Sequence, residues 1–248
     1  MPACDFSSHR LLVDSPLSEG GRVALSREQA HYLGAVLRLQ PGDGLLVFNG
    51  RDGEWAARIG GGGRKNPELV AGRQVRPQPP AGDLWYLFAP LKAARLDYMV
   101  QKAVEMGASR LMPVVTRRTN AARVNIGRMR ANVVEAAEQC GVLAVPEVAD
   151  DAALSKVLAR WPAGRRLIFC DEDADRADPL AALAQVPRGA PLAVLIGPEG
   201  GFSPEERADI VRLDGVVRLS LGPRILRADT AAVAALALVQ ASLGDFRG

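Results

Sequence analysis

Beyond residue 83 the chain alternates between short, purely apolar runs and longer stretches with helical spacing. Residues 84–89, 111–115, 167–170, 192–197 and 216–221 are aliphatic or aromatic with little alternation, the pattern of strands covered on both faces of a parallel sheet. Residues 94–106 and 126–140 carry the helical spacing between them. Strands alternating with helices imply a parallel α/β sheet. The first 75 residues have another rhythm. Residues 23–25, 44–48, 54–59 and 69–75 are short strand-like segments parted by turn residues, Asn49-Gly50 and Asp52-Gly53 foremost. A helix over residues 27–39, capped by Ser26, interrupts them. Arg76-Pro-Gln-Pro-Pro-Ala-Gly82 can continue neither a helix nor a central strand, because proline lacks the amide donor and restricts the residue before it. It reads as a linker between a domain of residues 1–75 and one of residues 76–248.

Two of the apolar runs stop at glycine corners. After residues 192–196, Gly197, Gly200 and Gly201 permit positive φ and close backbone approach. Ser203-Pro-Glu-Glu206 then opens a helix, with Ser203 as cap, proline at the first helical position and Glu206 three residues after the cap. The second corner repeats the plan, with Gly222-Pro223 as the break and a helix opening near Asp229 or Thr230. Residues 231–243 are apolar almost all round, so that helix must be buried on most sides, in a core or against another subunit. Each stop leaves backbone groups that no ladder or helix consumes, and such groups need a partner. Neither corner matches the G-x-G-x-x-G fingerprint, the Gly60-Gly-Gly-Gly63 run has no helix signal after it, and the Walker pattern is absent. A nucleotide-like ligand would therefore be gripped by backbone, without a phosphate cradle.

At 248 residues, 48% hydrophobic and 24% charged, the chain has the composition of a globular protein with room for two domains. No apolar run reaches the roughly 18 residues of a membrane span, and the N-terminus lacks the order of a signal peptide, so a cytoplasmic protein is expected. Cys4, Cys140 and Cys170 fit reduced thiols better than a disulfide framework, with Cys140 a small helix residue. His9 and His31 are the only histidines and no Cys or His lies at ligand spacing, so no metal is expected. The net charge of +3 is unevenly spread. Residues 92–130 hold nine basic residues against Asp97 and Glu105, whereas residues 131–215 hold eight basic against fifteen acidic. A positive stretch suits phosphate, since neutralising phosphates releases counterions. Arg117, Arg118 and Arg123 cluster in a segment of turn-like composition and are candidate RNA contacts; Arg95, Arg110 and Arg128 read as solvated charges on helix faces.

Gly197-Pro-Glu-Gly-Gly201, Leu221-Gly-Pro-Arg-Ile-Leu-Arg227 and Thr230-Ala231 resemble the conserved blocks of the RsmE family, SPOUT-class methyltransferases that act on N3 of a uridine in 16S ribosomal RNA. Lys92, Gln101-Lys-Ala-Val-Glu-Met-Gly107 and Glu135-Ala-Ala-Glu-Gln139 resemble its middle blocks. His31-Tyr32, Val36-Leu-Arg-Leu39 and Pro41-Gly-Asp43 resemble its N-terminal domain, and the match runs nearly end to end. There are departures. Asp229 stands where the family usually has Glu, Cys140-Gly-Val142 lacks the family's arginine, and Thr116-Arg-Arg-Thr-Asn-Ala-Ala-Arg123 replaces its Ser-Glu-Arg-Ser order.

The resemblance implies an α/β fold in which a trefoil-knotted parallel-sheet domain follows a small PUA-like β-barrel. It implies S-adenosylmethionine as cofactor, the small ribosomal subunit as partner, and a homodimer in which each site borrows residues from its mate through the apolar last helix. The knot brings the two corners together, so Leu195, Ile196, Gly197, Gly200, Gly201, Leu219, Leu221, Gly222, Ile225 and Leu226 become the candidate cofactor-binding residues. Arg10, Arg22 and Arg38 are the candidate RNA contacts of the barrel, although residues 1–75 carry nine basic against eight acidic residues and so exert little net pull on a polyanion. Uracil N3 is a protonated imide in the pairing edge, so the base must be extruded before it reacts. A cation near O2 or O4 would stabilise the anion as it forms. Arg227, Arg224 and Glu199 are therefore the candidate catalytic residues. Two roles are open to each: the arginines could equally tie the loop to Asp229 or Glu199, and Glu199 could brace the loop by accepting backbone N–H bonds. A non-methylating RNA-binding module would explain only the barrel and the basic stretch. A nicotinamide or ATP enzyme would explain the α/β pattern but lacks the phosphate loops.

Overall fold

The computed structural model describes residues 7–60, 68–120, 124–172, 174 and 178–247. Cys4, Arg123 and residues 61–63 of the glycine run lie outside them. The chain forms two compact units, Met1–Ala81 with Val134–Val145, and Gly82–Val133 with Pro146–Gly248.

The first unit is a five-stranded sheet in the order β1 (Arg10–Leu12), β3 (Gly44–Phe48), β4 (Glu54–Ile59), β5 (Glu68–Arg76), β2 (Arg22–Ala24). Its pairings are antiparallel except for β1 on β3. Among the described residues the ladder runs from β1 at one end to β2 at the other. Leu11, Val23, Leu45, Val47, Ala57, Ile59 and Leu69 fill its core. The helix expected over residues 27–39 is shorter. Helix α1 (Arg27–His31) begins with Ser26 and Gln29 in a reciprocal capping box, then gives way to a π-helical turn at Tyr32–Val36. The wider turn buries Leu33 and lets Tyr32, Leu37 and Leu39 pack on the same core.

Arg10 is buried, and this corrects its assignment as an RNA contact. Its Nε donates to Glu54 Oε1 at 2.8 Å, and Arg76 grips the same carboxylate through Nε at 2.6 Å and Nη2 at 2.9 Å. Arg76 Nη2 also reaches the Gly141 carbonyl at 3.0 Å, and Leu12 N–H donates to Glu138 at 2.8 Å, which ties residues 134–145 to this unit. Burial pushes the Glu54 carboxyl up, yet the hydrogen bonds and charges of Arg76 and Arg10 outweigh it and hold the group below its ordinary value. Arginine count alone could not distinguish this internal ion cluster from a phosphate-docking surface.

In the second unit every strand pairing is parallel. The order is β12 (Val216–Leu219), β10 (Arg166–Cys170), β11 (Leu192–Ile196), β6 (Leu84–Phe88), β7 (Arg110–Val115), β8 (Glu147–Val148), with β9 (Ala152–Ala153) also on β7. The helices are α2 (Ala93–Glu105), the first half of α3 (Ile126–Cys140), whose residues from Val134 on belong to the first unit, α4 (Leu154–Leu158), α5 (Pro179–Leu183), α6 (Pro204–Val211) and α7 (Ala228–Leu243). Strand pleating sends Leu87 to one face, with Phe169, Leu195 and Ile210, and Tyr86 and Phe88 to the other, where the Tyr86 hydroxyl meets Met99 Sδ of α2. Helix α7 packs on α2, α5 and β11, burying Ala232, Ala235, Leu236 and Val239. Its buried Gln240 is satisfied, donating to the Met106 carbonyl and accepting from Asp245 N–H. Burial within one chain thus accounts for one face of this helix.

Replacing Glu54 by Gln removes the charge that holds Arg10 in the core. Urea unfolding is expected to show a loss of about 3–5 kcal/mol, the scale for stripping the counter-charge from a buried ion. Because the folded value lies below the ordinary 4.5, the carboxylate's contribution is complete above about pH 4.5 and is lost as pH falls through the folded value. An unfolding midpoint unchanged by the substitution would contradict this account.

Candidate functional site

Strands β12, β10 and β11 are neighbours in the sheet, and their carboxyl ends open on one cavity of about 420 Å³. Ligands of open α/β sheets bind at such strand ends. Both glycine corners line this cavity. Of the candidate cofactor residues, Ile196, Gly197, Gly201, Leu219, Leu221, Gly222, Ile225 and Leu226 line it, as do Glu199, Arg224 and Arg227. Two do not. Leu195 is fully buried in the core with Phe169 and Ile210, and Gly200 is exposed, with its carbonyl accepting from Arg118 Nη1 at 2.6 Å.

Close packing explains two of the glycines. A Cβ on Gly197 would stand 2.6 Å from the Phe202 ring, which lies edge-on to Phe169 at 5.3 Å. Gly201 has φ +68°, and a Cβ there would stand 2.4 Å from Glu172 Oε1. The capping box of Ser203 and Glu206 then sets the start of α6, as the sequence indicates. At the second corner, among the described residues, the N–H groups of Leu221, Gly222 and Leu226 make no hydrogen bond. They are donors held at a cavity wall.

Two ion-pair clasps fix the corners. Asp171, buried just past the end of β10, accepts from Arg207 Nε and Nη2 at 3.1 and 3.0 Å and from Arg218 Nε at 2.8 Å. Arg207 stands on α6 after the first corner; Arg218 stands on β12 before the second. The other clasp has the opposite sign. Arg95 donates through Nε and Nη2 to Asp229 at 3.1 and 3.2 Å and through Nη1 to Glu199 at 3.1 Å. The hydrogen bond from Arg95 holds the Asp229 carboxyl below its ordinary range against some desolvation, and Asp229 in turn raises the guanidinium. Arg95 is therefore no solvated helix charge. It makes the tie that was open to Arg224 and Arg227, both of which are exposed and, among the described residues, form no ion pair.

The remaining candidates divide by what they touch. Arg117 binds Glu206 through its N–H and Glu205 through Nη1, both at 2.8 Å, so Arg117 and Arg118 fasten their loop to the first corner. Arg22 is exposed and paired with Glu68, and Arg38 is exposed at φ 57°. Arg110 lies over the Trp85 ring and pairs with Glu147, and Arg128 pairs with Asp97. Cys170 also lines the cavity, but burial, with the charge of Asp171, pushes its thiol up to about 12. It is no nucleophile at neutral pH. Sequence reasoning missed Asp171, Glu172, Arg207, Arg218 and Arg95. Only the acids at 171 and 172, directly after a buried strand, carried a readable signal.

This architecture is that of an RNA methyltransferase carrying a PUA domain. The model of the RNA methyltransferase domain family matches residues 77–240, and that of the RNA methyltransferase PUA domain matches residues 25–71. Relatives named ribosomal RNA small subunit methyltransferase E include one from Rickettsia conorii, 29% identical over 94% of this chain and 95% of its own length. Another, from Synechocystis, is 31% identical over 95% of this chain and 78% of its own. The crystal structure of the methyltransferase of that name from Neisseria gonorrhoeae, bound to S-adenosyl methionine, superposes with a TM-score of 0.84 at 26% identity, covering 96% of this chain and 99% of that one. A putative methyltransferase from Legionella pneumophila, in complex with bound SAM, also gives 0.84, at 28% identity and the same coverage. The chain belongs to the ribosomal RNA small subunit methyltransferase E family.

Asp171→Asn keeps the shape of the first clasp and leaves Arg207 and Arg218 without their shared charge. The substitution is expected to cost about 1–3 kcal/mol in urea unfolding, below the fully buried limit because both guanidiniums reach water. Added salt should recover part of that loss by screening the two arginines from each other. A loss that salt deepens would rule out this role for Asp171.

Proposed function

We propose that this chain is an S-adenosylmethionine-dependent methyltransferase that modifies N3 of a uridine in the 16S ribosomal RNA of the small subunit. The observation that carries the reading is the convergence of both glycine corners on one cavity. Its volume of about 420 Å³ falls within the roughly 300–1,000 Å³ of small-molecule sites. The residues suit the cofactor. The N–H groups of Leu221, Gly222 and Leu226, without a hydrogen bond among the described residues, offer donors to an adenine edge, and Ile196, Leu219 and Leu226 offer apolar wall. When bound, the cofactor supplies an electrophilic methyl group on a sulfonium.

The protein's own task is to present an anionic nitrogen. Arg227 and Arg224, exposed at the cavity and free of ion pairs among the described residues, are placed to stabilise negative charge on O2 or O4 of an extruded uracil as N3 loses its proton. Glu199 is held by Arg95 and acts as a brace for the first corner. Arg117 and Arg118 present the first corner to RNA, with Arg22 and Arg38 as contacts on the first unit. In this reading the C-terminal segment is threaded as a trefoil knot and two copies pair through the half-buried face of α7, at Val233, Ala237 and Leu238. No described helix is long and apolar enough to cross a membrane, and the reading puts the protein with its RNA substrate in the cytoplasm.

Incubation with labelled S-adenosylmethionine and small subunits from cells lacking uridine-N3 methylation tests the assignment. Label is expected in 16S RNA with one new reverse-transcription stop at a uridine; label confined to protein or DNA would reject it. Arg227→Ala is expected to slow methyl transfer by about 10²–10³-fold, the scale for losing one preorganised donor to a developing oxyanion. Cofactor affinity should remain within about threefold, since the lost interaction belongs to the transition state. Equal losses in rate and affinity would make Arg227 a scaffold residue.

A further inference from the structure

Most of the large apolar residues exposed among the described ones still rest partly on the protein, from 37% exposure at Val70 to 59% at Val36. Ile225 stands apart at 102%, so nothing in its own chain covers it. A side chain left in water forgoes the burial that stabilises the rest of the fold. The backbone shows what puts it there. Gly222 has φ +95°, and a Cβ there would meet nothing within 4 Å, so glycine serves the bend of the second corner and not close packing. Pro223 follows with φ fixed by its ring, and residues 222–225 are exposed without a break. Arg224 and Arg227, which line the cavity and form no ion pair among the described residues, stand one residue before Ile225 and two after it.

Resting on the function proposed above, we infer that Ile225 is a wedge for RNA, its side chain entering the gap that the target uridine leaves when it turns out toward the cavity. Extrusion unstacks the base from both neighbours, and that cost recurs at every turnover. An apolar side chain set between the flanking bases offsets it. Isoleucine suits the task because its branched Cβ restricts χ1, so little rotamer freedom is lost on insertion. Position and charge decide the occupant. A side chain between the two arginines that take up the uracil stands within a residue or two of the extruded nucleotide, and RNA brings phosphate with every base. A second copy docking on Ile225 would have to supply carboxylates for both guanidiniums or bury them unpaired.

The test compares Ile225→Ala and Ile225→Leu with wild type, using the full-length protein and small subunits lacking uridine-N3 methylation. The alanine variant is expected to lose about 10- to 50-fold in kcat/KM for the subunits, the scale for the apolar surface it no longer inserts. The leucine variant should keep most of the wild-type value. Calorimetric affinity for S-adenosylhomocysteine should stay within about twofold, because the wedge acts on RNA alone. Both variants should unfold at the wild-type urea midpoint, because Ile225 is uncovered in the fold. Wild-type turnover by the alanine variant would overturn the inference. So would a parallel loss of S-adenosylhomocysteine affinity, which would put the side chain on the cofactor, or an altered sedimentation coefficient, which would put it on a second copy. A wild-type protein that labels no 16S RNA would instead bring down the proposed function, and this inference with it.

Discussion

Two loops without regular secondary structure are tied by charged side chains on both flanks. At one flank an acid sits between two arginines, Asp171 between Arg207 and Arg218; at the other an arginine sits between two acids, Arg95 between Glu199 and Asp229. A loop whose amides point at a cavity cannot use those amides to stabilise itself. Something else must offset the entropy of ordering it. Each clasp spends its central charge on two partners from different segments, so one ordered side chain fixes two pieces of chain. Solvent reaches most of the outer partners, so each contact is individually modest, and the geometry is supplied by the pair of clasps together.

The same logic recasts the uneven charge along the sequence. Much of the positive stretch at residues 92–130 pairs with the acidic stretch that follows it. Arg95 reaches Glu199, Arg110 reaches Glu147, Arg117 reaches Glu205 and Arg130 reaches Asp150. Complementary blocks in one domain therefore signal internal pairing as much as a polyanion partner. The exposed pairs among them are weakly held in water and can exchange a carboxylate for a phosphate at small cost. Among the described residues Arg224 and Arg227 have no carboxylate to give up, which singles them out at the cavity.

What could be read from the sequence was whatever depends on near neighbours. The five long strands of the second unit, helices α2 and α3 and the Ser203 cap are local patterns, and their limits agree with the structure to within a residue or two. The short elements were illegible. Strands β8 and β9 hold two residues each and α4 and α5 five, too few for any period to show. Helix α1 gave the right start and the wrong end, because the choice of a π-helical turn depends on the core that receives Leu33. Nor could the clasps be seen: Arg95 and Asp229 are 134 residues apart, and Arg218 and Asp171 are 47. Arg10 failed for the same reason, since only the fold shows that Glu54 lies beside it. The bends at the glycine corners were legible because steric need is written into single residues, as at Gly201, where any side chain would strike Glu172.

The central claim is that main-chain groups at two adjacent corners hold the methyl donor, and backbone hydrogen exchange measured with and without S-adenosylmethionine tests it most directly. The account expects slower exchange at Leu221, Gly222 and Leu226 and through residues 197–201, with the remaining strands of the second unit and all of the first unit unchanged. Saturation with the cofactor that left these amides exchanging at their free rates, or protected a different set of strand ends, would contradict it.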